Sequence, residues 1–211
     1  MNVLVVVAHP DDEVLGVGAT IHRLAKEHEV TVLMFCENSI RHGQPGVCRV
    51  HAEAAQGVLG YQRLLYLGYP DQGLDGIPFT DLVWQVENAV SECIPSLVIT
   101  HSGKDLNRDH RIVCEAVRVA TRSTKTTCTL LEFVSLGSNF GGLYGEFKPA
   151  SFWPASEEGM EVKVRAYRAY TWEFMKKGPR SPMSIYANSR VYGAEAGSEY
   201  AEAFEVIREV K

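Results

Sequence analysis

Short β-branched runs alternate along the chain with longer stretches whose apolar residues recur at helical spacing. Val3–Ala8 (VLVVVA) is continuously apolar, the pattern of a central parallel strand covered on both faces. From Glu13 to about Glu27 a helix is predicted, with Val14, Leu15, Ile21 and Leu24 on its inner face. Val30–Cys36 predicts a second strand, and a helix within Gln44–Gly60 starts near Pro45. Leu64–Leu67 is a brief third strand. Thr80–Cys93 predicts a helix with Thr80 as its N-cap, ended by Pro95. A fourth strand covers Leu97–Thr100, a helix Arg108–Arg122 and a fifth strand Thr127–Ser135. This repeated β-α order predicts an α/β fold: a Rossmann-like, doubly wound, mostly parallel sheet flanked by helices. Past Leu136 the pattern weakens. GSNFGGLYGEFKPASFWP reads as irregular connection; a helix over Glu157–Phe174, the turn-rich KKGPRSP and a last segment ending in YAEAFEVIREV follow. A chain of 211 residues is expected to form a single domain, 1–211, with a core of residues 1–136 and a C-terminal elaboration over 137–211.

Composition narrows the class. The net charge of −5 argues against a nucleic-acid footprint and against attraction to anionic membranes. No apolar run approaches the roughly 18 residues of a membrane helix. The first apolar run lacks a basic leader and a cleavage site, so it is not expected to be a signal peptide. Cys36, Cys48, Cys93, Cys114 and Cys128 are odd in number and show no C-x-x-C spacing. They read as buried reduced thiols, and the cytoplasm is the expected compartment. The oligomeric state is left open, a homo-oligomer included.

Candidate chemistry lies at strand ends. In open α/β sheets, ligand sites form outside the carboxyl ends of the strands. HPDDE follows the first strand and HSGKDLNRDH the fourth, so the two loops can converge. His9 can offer a ring nitrogen, and Asp11, Asp12 and Glu13 can offer oxygens. Pro10 sharpens the turn by fixing its own φ and keeping His9 out of the helical region. Acids at a helix start would also serve as caps, but capping does not account for His9. The second loop carries His101, Asp105, Asn107, Asp109 and His110 within ten residues. Two histidines and an aspartate are the ligand chemistry of a catalytic zinc site with one position left for water.

AHPDDE followed about a hundred residues later by DLNRDHR resembles the LmbE-like (PIG-L) family of zinc-dependent N-deacetylases. CRVHAEAAQGVLG, LGYPDQGL and GSEYAEAF resemble further family segments, so the likeness runs over nearly the whole chain. The resemblance implies removal of an N-acetyl group from an amino sugar, a conjugate of the N-acetylglucosamine type. It implies one zinc ion per chain held by His9, Asp12 and His110, with Asp11 as general base. Zinc lowers the pKa of water it binds to about 7, and a neighbouring carboxylate can take the proton. Such His₂Asp sites also accept other divalent transition metals. Asp105 and Asp109 are candidates to orient His110 or its turn, and both would serve equally as caps. Arg49 resembles a family residue that contacts the sugar or its attached group, or else it pairs with Glu53. Asp71 resembles a residue of the sugar pocket, or else it belongs to a P-D-Q-G turn. His101 is a reserve imidazole with a minor substrate-side role.

One position departs from the family. Many relatives carry a histidine three residues before the second ligand histidine; here that residue is Asn107. An amide can donate to a developing oxyanion but cannot carry positive charge. Losing an oxyanion donor costs about a hundred- to a thousandfold in rate, so either Asn107 keeps the donor role while Asp11 or His101 handles the proton, or turnover is slow. The resemblance favours the first, because an Asn at this position occurs among the family's relatives too. A receiver-type phosphorylation domain leaves His9 and His110 unused. A dinucleotide module fails because GVGATI lacks the third glycine and falls inside a helix. A metal-retaining sugar-binding protein has no evident need for Asp11. An amidase acting on a larger acyl or thiol conjugate of an amino sugar is the nearest alternative.

Overall fold

The computed structural model describes residues 1–37, 46–138, 143–171, 178 and 180–210. It shows a single α/β domain built on one seven-stranded sheet. β1 (Asn2–Val7), β2 (Glu29–Glu37), β3 (Arg63–Pro70), β4 (Leu97–His101) and β5 (Thr129–Phe133) are parallel, and β6 (Ser151–Ala155) and β7 (Tyr200–Arg208) complete the order β3-β2-β1-β4-β5-β7-β6. β7 runs antiparallel to both of its neighbours. The order reverses between β1 and β4, which pair from Val3 with Leu97 onward. That switch point is where an open α/β sheet leaves a crevice.

The continuous run in β1 serves both faces. Val3, Val5 and Val7 pack with α1 (Asp12–Ala25), α2 (Val47–Leu59) and α5 (Glu157–Tyr167). Leu4, Val6 and Ala8 pack on the other face with α3 (Phe79–Cys93) and α4 (Arg108–Ala120). No disulfide joins the five cysteines, all of which are buried. Among the described residues, no helix is long and apolar enough to cross a membrane.

The structure alters several expectations. α3 begins at Phe79 with Pro78 at its N-cap, so Thr80 lies inside the first turn and is not the cap. Gln44, Pro45 and Phe174 lie outside the described residues. The weak pattern after residue 136 hides three elements: β6, which lies at the end of the stretch read as irregular connection, β7 and α6 (Pro182–Ala196). Ser181 caps α6 by accepting from the Ser184 N–H, and Pro182 follows at the first helical position. That Ser-Pro pair is a legible start signal. β7 is harder to read because Glu202 and Glu205 are buried within it.

Glu202 has a defined task. α1 is kinked at Val17 (φ −138°, ψ 22°), which leaves the next amides short of helical acceptors. Glu202 accepts from the Ala19 and Thr20 N–H groups at 3.1 and 2.8 Å, and its charge is met by buried Lys163 at 2.6 Å. The first half of α1 presses close to the sheet. A Cβ on Gly16 would lie 2.0 Å from the Phe133 ring. Gly16→Ala should therefore destabilise the fold by about 1–3 kcal/mol through overpacking. Equilibrium denaturation checks this, and an unchanged midpoint would contradict it.

Candidate active site

His9 stands just past β1, and Pro10 turns the chain into α1. His110 lies in the first turn of α4, past β4. The two loops meet at the switch point. His9 Nδ1 lies 3.1 Å from His110 Nε2, and Asp12 Oδ2 lies 3.3 and 3.2 Å from those two atoms. All three residues are buried. Four tetrahedral donors at zinc bond lengths stand about 3.3 Å apart, so this triangle has the size of three corners of such a site.

The other ring nitrogens show where the protons sit. His110 Nδ1 lies 3.0 Å from Asp105 Oδ2. His9 Nε2 lies 3.0 Å from Asp71 Oδ1 and 3.2 Å from Asp109 Oδ2. Carboxylates only accept, so each neutral ring carries its proton on the side facing these acids. Three lone pairs then converge on one point: His9 Nδ1, His110 Nε2 and Asp12 Oδ2. Such an arrangement calls for a cation, and the donor set fits a divalent one. Burial opposes charge on His9, but hydrogen bonds with Asp109, Asp12 and Asp71 outweigh it and hold its pKa well above the ordinary imidazole value. For His110, burial is likewise overcome by Asp12 and Asp105, and its pKa is pushed up to about 9. The cluster thus demands positive charge.

Two other groupings of buried donors are weaker candidates. His9, Cys36 and Asp109 form one, but burial pushes the Cys36 thiol up to about 11, which keeps it protonated. His101, Asp105 and His110 form the other, but His101 Nε2 already accepts the Ala8 N–H at 2.9 Å.

The two adjacent aspartates part company. Asp12 is held by Ser135 Oγ at 3.0 Å on Oδ1 and by the His9 N–H at 2.9 Å on Oδ2. Asp11 occupies the N-cap position of α1 with φ 108°, yet its side chain makes no capping bond. Its Oδ2 instead lies 3.3 Å from Arg180. Glu13, fully buried, accepts from Tyr170 Oη at 2.6 Å and from the Asp11 N–H at 3.2 Å. Burial raises the Glu13 carboxyl to about 7, against the opposing effect of the Tyr170 hydrogen bond.

The other expected site residues fall as follows. Asp105 faces His110. Asp109 does not: its Oδ2 meets His9 and accepts the Gln72 N–H at 2.8 Å. Asp71 also sits against His9. Asn107 caps α4 with its Oδ1, which accepts the Asp109 N–H at 2.9 Å. That cap engages its oxygen and leaves the NH₂ as its remaining donor. His101 is 0 % exposed and stacks on His110, with ring centroids 3.9 Å apart. It has no open surface, packs on His110 and holds β1 through the Ala8 N–H. Arg49 is exposed and pairs with Glu53 at 2.9 Å. Ser135, Tyr170 and Arg180 join the site without a motif to announce them, and Gln72 joins it from within LGYPDQGL, where the sequence singles out only Asp71. Ser135 and Gln72 follow β5 and β3 at the carboxyl edge, a position that could have flagged them. Nothing in the local pattern marks Tyr170 or Arg180.

Fold and site together define an α/β protein with a buried His₂Asp cluster, able to hold a metal ion, at its topological switch point. The chain belongs to the PIG-L family, described as GlcNAc-PI de-N-acetylase, whose model matches residues 4–121. It is 29% identical over 178 residues to the uncharacterized deacetylase YaiS of Escherichia coli (strain K12), spanning 80% of this chain and 90% of that one. It is 27% identical over 160 residues to the probable N-acetyl-alpha-D-glucosaminyl L-malate deacetylase 2 of Bacillus cereus, spanning 69% and 72%. Among solved structures it resembles the conserved protein TT1542 of Thermus thermophilus (TM-score 0.82, 24% identity, 100% and 97% covered). It also resembles GalB, the 4-carboxy-2-hydroxymuconate hydratase of Pseudomonas putida KT2440 (TM-score 0.77, 18% identity, 100% and 98% covered). These structural likenesses concern the fold.

His9→Ala and His110→Ala should each abolish tight zinc binding. Asp105→Asn, which weakens the partner of His110, should lower zinc affinity by about 10- to 100-fold. Metal analysis and competitive chelator titration check both. Full occupancy in either alanine variant would reject the ligand assignment.

Proposed function

We propose that this protein is a zinc-dependent N-deacetylase that hydrolyses the acetamide of an amino-sugar conjugate of the N-acetylglucosamine type. The observation that carries this reading is the convergence of His9, Asp12 and His110 in a PIG-L chain. Asp11, next to Asp12 in sequence and making no side-chain capping bond, is the carboxylate we assign as base. The deacetylase relatives support it, and the same architecture in a hydratase is why the site, rather than the fold, bears the argument.

A divalent ion held by His9, Asp12 and His110 would supply Lewis acidity and acidify water. Asp11 then acts as the base, taking a proton as water adds to the acetyl carbon. The Asn107 NH₂, its orientation set by the helix cap, donates to the oxygen on which negative charge develops. The C–N bond breaks as the proton passes to the departing nitrogen, so the products are acetate and the amino sugar. Asp71 and Asp109 hold His9, and Asp105 holds His110. Arg180 pairs with Asp11.

The test is a panel of N-acetylated amino-sugar conjugates, free, nucleotide-linked, thiol-linked and lipid-linked, assayed for acetate and primary amine. Equal release of both from at least one member is expected. Release of amine without acetate from longer-chain amides would favour the larger-acyl amidase, and silence across the panel with metal bound would reject the reading. Asp11→Asn should retain zinc but lose turnover by about a hundredfold or more, and wild-type kinetics would remove Asp11 from the mechanism. Asn107→His should raise kcat if the missing imidazole limits the reaction; an unchanged or lower kcat indicates that the amide already serves as the donor.

A further inference from the structure

We infer that Glu13 and Tyr170 are positioning residues that hold the backbone of Asp11 in its left-handed conformation and so aim its carboxylate. This inference rests on the reading of Asp11 as the base.

Among the described residues only Asp11, Gln72 and Ile94 combine a side chain with positive φ. Two of these stand at the site. A non-glycine residue in such a conformation costs on the order of 1–3 kcal/mol and persists only where its surroundings enforce it. For Asp11 the enforcement is visible. Downstream, its carbonyl accepts from the Val14 and Leu15 N–H groups at 3.1 and 2.9 Å, which ties it to the first turn of α1. Upstream, its own N–H would otherwise face a dry interior. Glu13 Oε2 reaches back to accept that N–H at 3.2 Å, as the acidic partner of a capping box does. Glu13 is in turn fixed at its other oxygen by Tyr170 Oη at 2.6 Å, and both side chains are fully buried.

Burying a carboxylate is costly unless it makes hydrogen bonds that matter, and an apolar residue would fill the same space. Here the two oxygens join two elements: one grips the turn that bears Asp11, the other is gripped by the segment that follows α5. Without this link, Asp11 could relax toward negative φ and swing its carboxylate away from the point where His9, Asp12 and His110 converge. Displacements of about 1 Å at a reacting group can cost on the order of a hundredfold in rate. Arg180, which meets Asp11 Oδ2, comes from the same C-terminal part of the chain, so this part sets the base from two sides.

The test compares Tyr170→Phe, Glu13→Leu and Glu13→Gln in the zinc-loaded enzyme on its best panel substrate. Tyr170→Phe and Glu13→Leu should lower kcat about tenfold or more, with KM and zinc content within about twofold of wild type. Glu13→Gln should recover most of that loss, because an amide still accepts from the Asp11 N–H and can donate to the Tyr170 oxygen. Hydrogen exchange at the Asp11 amide should quicken in the Phe and Leu variants and stay protected in the Gln variant. The inference is overturned if Tyr170→Phe keeps wild-type kcat, if Gln is as damaging as Leu, or if the Asp11 amide stays protected in Tyr170→Phe. Should Glu13→Leu fail to fold, Tyr170→Phe, which deletes one oxygen, carries the comparison. If the wild type deacetylates nothing on the panel, the functional reading falls, while amide exchange still decides whether the clamp exists.

Discussion

Three buried lone pairs aimed at one point are the constraint on which this structure turns. His9 Nδ1, His110 Nε2 and Asp12 Oδ2 sit 3.1–3.3 Å from one another, and none has a proton to offer the others when both rings are neutral. In a low-dielectric interior that mutual repulsion is severe unless positive charge fills the gap. The surrounding acids deepen the demand. Asp71, Asp105 and Asp109 hold the ring protons on the far side and add negative charge of their own. Protons on the two rings or a divalent ion would answer this need.

The scaffold keeps the three donors from relaxing apart. β1 and β4 are neighbours in the sheet, so the residues after them leave its edge side by side. His101 stacks on His110 and meets the Phe133 ring at a tilt while gripping the Ala8 N–H, which ties the end of β4 to the end of β1. The loop after β4 has its own anchor. Glu132, fully buried on β5, is held by Arg118 at 2.6 and 2.9 Å and accepts from the Gly103 N–H at 3.4 Å. The chain after β5 then returns over the site: β7 braces the kink of α1 through Glu202, and Tyr170 and Arg180 reach the turn that carries Asp11.

How much of this the sequence discloses follows from what local pattern can encode. VLVVVA announces a central strand because both of its faces are covered, and HPDDE announces a site because no capping role explains His9. β7 is hidden since Glu202 and Glu205 occupy inward positions, their charges met by Lys163 and Lys104 from distant segments. Asp109 reads as a partner of His110 because the two are adjacent in sequence. In a helix adjacent side chains diverge by about 100°, so Asp109 faces His9 instead. Asp105, five residues earlier in the loop, curls back to His110. Tyr170 and Arg180 act across more than 150 positions, and no periodicity reports such contacts.

The most direct test of the central claim is a crystal of the zinc-loaded protein measured on both sides of the zinc absorption edge. The account predicts one anomalous peak per chain within about 2.0–2.2 Å of His9 Nδ1, His110 Nε2 and Asp12 Oδ2, with Asp11 beside it but unligated. A peak centred instead on Cys36 and the opposite nitrogen of His9, or no bound ion between intact, correctly placed side chains, would contradict it.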